Sequence, residues 1–160
     1  MKKAISVLVC LLVLLGSAAA EQSVVLPGGN YVIELPDWME YSEPVDGDAG
    51  VEAYISADLE MDLISYTRED AVRIGLGQSL KETAQMQREA GSDTEIRNVN
   101  GIEMLCFRTA DDADGAPCIG YVFEDGELII EIDFWYGTQE AGDMTKTIME
   151  TIQVKQDSNA

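Results

Sequence analysis

The stretch CFRTADDADGAPC, from Cys106 to Cys118, sets Asp111, Asp112, Asp114 and Gly115 between two cysteines. Residues of these types serve three chemistries: an acidic calcium loop, a thiol redox site, or a disulfide that closes a hairpin. An EF-hand loop needs Asp at its first position, Asp or Asn at the third and fifth, Gly at the sixth and Glu at the twelfth. With Gly115 in the sixth place, Asp114 and Asp112 fit, but Ala110 stands first and Tyr121 twelfth. Both outer ligands are therefore missing, and Asp, Gly and Pro are in any case ordinary turn residues. A redox site needs a closely spaced, activated thiol pair, unlike this spacing. The expected role of Cys106 and Cys118 is a structural disulfide.

That expectation depends on compartment. The chain opens MKKAISVLVCLLVLLGSAAAEQ: two lysines, an apolar run from Ile5 to Leu15, then Ala18, Ala19 and Ala20 before Glu21. This order is that of a secretory signal peptide spanning residues 1–20, and the apolar run falls short of the ~20 residues that span a bilayer. No transmembrane segment is expected after cleavage. Cys10 lies inside the run and leaves with the peptide, so Cys106 and Cys118 remain in a chain expected to be secreted, periplasmic or held in the cell envelope, where disulfides persist. The full sequence carries 10 basic and 30 acidic residues and no histidine, for a net charge of −20; the leader removes two lysines and no acid. Such a field opposes nucleic acid and anionic membranes, admits cationic partners, and keeps an exported chain soluble.

The elements that must position these residues are most legible between Gly101 and Gly137, where β-branched and aromatic residues alternate with polar ones. Asp125-Gly126 signals a two-residue hairpin, which would set Phe123 opposite Leu128, Tyr121 opposite Ile130 and Ile119 opposite Ile132. If Cys106 lies directly opposite Cys118 across the preceding hairpin, Leu105 faces Ile119, and Phe107 joins Tyr121, Phe123, Leu128, Ile130, Ile132 and Phe134 on one side. Opposed strand residues have Cβ atoms about 5 Å apart, near the spacing of a disulfide. The short loop so closed predicts a stabilisation of about 3 kcal/mol.

Elsewhere Tyr31–Pro36 reads as a strand ending at proline, and Val51–Thr67 as two strands around a polar turn near Asp58. Gly75 and Gly77 preclude a long helix after Thr67. Ser79 and Glu82 form a capping box, so a middle helix is expected to about Ala90, with Gly91 ending it. Ala141, Met144, Thr145, Ile148, Met149 and Ile152 recur at helical spacing and mark a C-terminal amphipathic helix packed on the sheet. One domain is expected over residues 21–155, with disorder in the residues just after cleavage and in the tail at residues 156–160.

Without histidine, Ser-His-Asp and Cys-His catalysis are excluded, and two cysteines do not make a structural zinc site. RIGLGQS lacks the lysine and spacing of a phosphate-binding loop. A carboxylate pair would suffice for glycoside hydrolysis, yet thirty acids single out no pair. Trp38, Trp135 and Tyr136 are candidate ligand-holding aromatics, set against the half-buried, tip-outward placement such residues ordinarily adopt. No catalytic residue, cofactor or metal ligand is assigned.

The order of elements, with LPDW at Leu35–Trp38 closing an early strand, a middle helix, NGIEMLCF from Asn100, three meander strands and a final amphipathic helix, resembles the PsbP-like superfamily. That group includes the photosystem PsbP subunit, DcrB-like exported bacterial proteins and a Ran-binding nuclear import factor. The resemblance implies an α+β fold, an antiparallel sheet between helices, and a domain that binds or organises partners rather than catalyses. It carries no functional residue onto this chain. The expected function is thus a non-catalytic exported interaction or ligand-binding domain, whose partner is a protein or small ligand of the cell envelope. A calcium-dependent binding protein using Asp111, Asp112 and Asp114 is the alternative, and a carboxylate-dependent hydrolase a third.

Overall fold

The computed structural model describes residues 21–43, 51–109 and 116–156. Ten strands and three helices follow one another there: β1 (Glu21–Val25), β2 (Tyr31–Pro36), β3 (Glu40–Ser42), β4 (Val51–Ile55), β5 (Leu59–Thr67), α1 (Arg68–Arg73), α2 (Leu80–Glu89), β6 (Asp93–Val99), β7 (Ile102–Thr109), β8 (Cys118–Asp125), β9 (Leu128–Tyr136), α3 (Gln139–Met149) and β10 (Gln153–Val154). Seven strands form an antiparallel sheet in the order β3-β4-β5-β9-β8-β7-β6, and β1, β2 and β10 form a small second sheet.

The large sheet is covered on both faces. On one side Met61, Leu63, Met104, Cys106, Ile119, Tyr121, Phe123, Ile130, Ile132 and Phe134 pack against Val24, Ile33 and Leu35 of the small sheet and Ala141, Ile148 and Met149 of α3. On the other, Leu105, Phe107, Val122 and Ile129 meet Ala71 of α1 and Leu80 and Ala84 of α2. The layering is the α+β sandwich expected, with a C-terminal and a middle helix on the sheet.

Local chemistry accounts for the helices. Ser79 caps α2 by accepting from the Glu82 amide, and Glu82 reaches back to accept from the amide of Gln78, one residue before the cap. Gly91, with φ +95°, follows the helix in the left-handed conformation that glycine tolerates. Thr138 caps α3 in the same manner as Ser79 caps α2.

The disulfide expectation is corrected. Cys118 lies opposite Thr109 and Cys106 opposite Tyr121, three residues out of the predicted register. An odd displacement reverses faces: Cys106 points into the core beneath α3, whereas Cys118 shares its face with Glu131 and Asp133. Both are buried free thiols. Phe107 likewise lies on the side opposite Tyr121. The physical reason is that β7 is apolar on both faces, Met104 and Cys106 on one and Leu105 and Phe107 on the other, so burial does not choose between registers.

The β8–β9 hairpin also differs, but by an even step. Asp125 stays in the ladder opposite Leu128, Phe123 faces Ile130 and Tyr121 faces Ile132. The turn is Gly126-Glu127, with positive φ only at Gly126. Because two residues restore the same face, the predicted core side for β8 and β9 survives. The residues just after Ala20, expected to be disordered, instead form β1, which pairs with β2 along its whole length.

Two measurements follow. Thiol counting on the unfolded chain from Glu21 onward, without reductant, should find both Cys106 and Cys118 reactive. A Cβ on Gly120 would strike the Phe107 ring that lies across it, so Gly120→Ala should destabilise by about 1–3 kcal/mol in urea unfolding, and by less in a Phe107→Leu background.

Candidate functional site

Two features concentrate chemistry. The first is a row of acids on the α1/α2 side of the sheet. Alternation along β9 sends Ile130, Ile132 and Phe134 to one core and Glu131, Asp133 and Trp135 to the other face. Asp62 of β5 lies directly opposite Asp133, and Glu60 opposite Trp135. Glu131 is only 8% exposed. The Trp135 indole donates to Asp62 at 3.2 Å, and Tyr66 lies beside Glu131. Asp133 Oδ1 is buried without a hydrogen-bond partner among the described residues.

The electrostatics follow from this crowding. Burial, then the charges of Glu131 and Asp62, push the Asp133 carboxyl up to about 8. Burial also raises Glu131 and, against the opposing Trp135 hydrogen bond, Asp62. Cys118 is raised by burial and then by Asp133, Glu131 and Asp62, so its thiol stays protonated and unreactive. Cys106 is raised as well, chiefly by burial.

The second feature is an open cavity of about 480 Å³ beside the N-terminus of α3, lined by Trp38, Ser56, Asp58, Leu59, Glu140 and Met144 among others. Two tight turns and a helix end frame it. In the first, the Met39 amide donates to Pro36 O at 3.1 Å, and Gln22 Nε2 donates to Met39 O. Leu35 and Met39 on either side are buried, which leaves Trp38 facing outward, 42% exposed. In the second, Ser56 closes on Leu59 through its amide and its hydroxyl, and the Gly137 amide donates to Asp58 O at 2.9 Å. Leu59 and Ala141 supply a buried apolar floor.

Of the aromatics singled out by sequence, Trp38 stands in this cavity. Trp135 is half-buried with its polar tip turned inward to Asp62, and Tyr136 packs its ring over Gly142 of α3. Asp111, Asp112 and Asp114, the acidic VDGDAG at residues 45–50 (which, like the loop before Cys118, reads from sequence as a solvated turn), residues 1–20 and the last four residues of the tail lie outside the described residues. Among the described residues, no group of three His, Cys, Asp or Glu side chains is arranged to hold a metal, and no helix is long and apolar enough to cross a membrane. Sequence reasoning did not find the Asp62–Asp133 pair. The signal available was the polar position repeated every second residue in IIEIDFWY, within an otherwise apolar strand.

The acid row makes stability depend on pH. A carboxyl raised from 3.8 to about 8 on folding holds its proton in the folded chain after the unfolded chain has released it. Its stabilising contribution is complete below the unfolded value and is lost as pH rises toward the folded one. Asp133→Asn should therefore gain stability relative to the parent chain between about pH 4 and pH 8, then hold a constant difference. Thermal unfolding of both proteins across that interval checks it; parallel curves would contradict the burial of this carboxyl.

No family model and no curated protein matches the chain. Among solved structures, a crystallised protein from Bacteroides thetaiotaomicron VPI-5482 aligns with a TM-score of 0.55 at 10% identity, covering 86% of this chain and 50% of that one, so this chain spans half its length. The solution structure of cyanobacterial PsbP (CyanoP) from Synechocystis sp. PCC 6803 aligns with a TM-score of 0.58 at 13% identity, covering 88% of this chain and 95% of that one. Helices on both faces of a large antiparallel sheet, the last of them C-terminal, thus give this chain a PsbP-like α+β fold.

Proposed function

We propose that the chain is an exported, non-catalytic interaction domain of the cell envelope or extracellular space. The observation that carries the reading is the cavity beside α3: a preformed concavity with an outward indole, an apolar floor and two carboxylates at its rim. Such a lining recognises a partner. The leader sequence supports export, and the strongly negative charge supports a cationic partner. The PsbP-like fold is compatible with a non-catalytic domain.

One observation favours a second reading. Asp62 opposite Asp133, with a proton retained on one carboxyl, is the pattern of an acid and base pair. In a hydrolase these groups would share work on a glycosidic bond. Against it stands their placement on a packed sheet face, with the Trp135 indole bound to Asp62.

Affinity capture with the chain from Glu21 onward, on an extract of its own envelope fraction, tests the first reading; retention of a defined protein that salt elutes is expected. Turnover of a chromogenic glycoside that disappears in Asp133→Asn would overturn it in favour of the second.

A further inference from the structure

We propose that the cavity beside α3 is a docking site for an arginine side chain carried by a basic protein partner. This deepens the binding-domain reading and rests on it. Trp38 lines the cavity with its indole and is 42% exposed, held by a turn whose neighbours Leu35 and Met39 are buried in the core. Asp58 and Glu140 stand at the rim of the same cavity. Both are solvent-exposed, and neither takes part in an ion pair among the described residues. No lysine or arginine lines the cavity. An indole with carboxylates beside it is complementary to a cation with a flat, weakly hydrated head.

Competing occupants fit less well. The N-terminus of α3 would by itself attract an anion, but Thr138 already accepts from the Ala141 amide, and Glu140 sits in the first turn. A second negative charge would therefore meet Glu140 and Asp58, within a chain of net charge −20. A neutral apolar ligand would fill the floor formed by Leu59, Ala141 and Met144 but leave both carboxylates unanswered. Lysine satisfies the charge, yet its ammonium is a strongly hydrated point, whereas guanidinium stacks on indole and pairs bidentately with a carboxylate. The volume of about 480 Å³ lies within the ordinary range of ligand pockets, roughly 300–1,000 Å³.

The test uses the folded chain from Glu21 onward. Its two tryptophans give two indole N–H resonances, assigned by comparing the parent spectrum with that of Trp38→Phe. Blocked Gly-Arg-Gly is titrated in, with Gly-citrulline-Gly as its uncharged isostere, Gly-Lys-Gly, and a free aliphatic diamine. The expected result is a saturable shift of the Trp38 indole and the Asp58 and Glu140 amides, with the Trp135 indole still. Arginine should bind at least about fivefold more tightly than citrulline, and a Trp38→Ala change should weaken it about two- to thirtyfold, the span of a cation–π contact. An Asp58→Asn, Glu140→Gln double variant should lose the preference for arginine over citrulline.

Equal binding of citrulline, shifts confined to other residues, or a diamine that binds as tightly as the arginine peptide would each overturn the proposal. Capture of the same envelope proteins by the parent and by Trp38→Ala would overturn this site while leaving the binding-domain reading in place. That reading fails separately, through turnover lost on replacement of Asp133.

Discussion

Strand β9 sits between β5 and β8, and the two-residue alternation of its side chains constrains nearly everything else. Ile130, Ile132 and Phe134 enter the core beneath α3 and the small sheet, while Ile129, Glu131, Asp133 and Trp135 enter the opposite face. Because β9 is paired along both edges, neither set can turn away without breaking ladders on two sides. The carboxyls of Glu131 and Asp133 are therefore held in the sheet by their apolar neighbours. Their proton affinity rises as a result of topology. The same geometry leaves Phe107 to lie across Gly120, where a larger residue on β8 would push two strands apart.

Much of this was legible in the residues, and the register failure has a single cause. Strands β2, β4 and β5, the capped middle helix and the C-terminal helix all carry local signals that tertiary context did not override. Register between β7 and β8 had no such signal. Pattern-based alignment assumes one wet face, but β7 buries both, so Met104-Cys106 and Leu105-Phe107 are equally good candidates for the core. Two cysteines in a chain expected to be exported then favoured the wrong choice. At β8–β9 an error of two residues was harmless, since parity was preserved.

Strand β6 was missed for the opposite reason: as an edge it is largely exposed, and DTEIRNV shows little apolar pattern. Its turn was nevertheless written in the sequence. Asn100-Gly101 is a strong hairpin dipeptide, and both residues adopt positive φ, 51° and 89°. Asn100 also donates to Glu150 O and Ile152 O, so the turn ties the meander to the end of α3. Of the residues at the cavity, sequence singled out Trp38 alone, and only as one of three aromatics set against an ordinary half-buried placement. What sequence did not supply was the company of Asp58 and Glu140, which lie far from Trp38 along the chain and meet it only because two turns and a helix end converge.

The separation of Cys106 and Cys118 onto opposite faces of the sheet has a consequence for biogenesis. Both sulfurs are buried, Cys106 in the core beneath α3 and Cys118 beside the acid row, so neither the other cysteine nor a small oxidant reaches either without opening the sheet. Folding of such a domain is indifferent to the redox state of its surroundings, since no crosslink has to form. The stability that small extracellular proteins often draw from crosslinks comes here from a seven-stranded sheet packed on both sides.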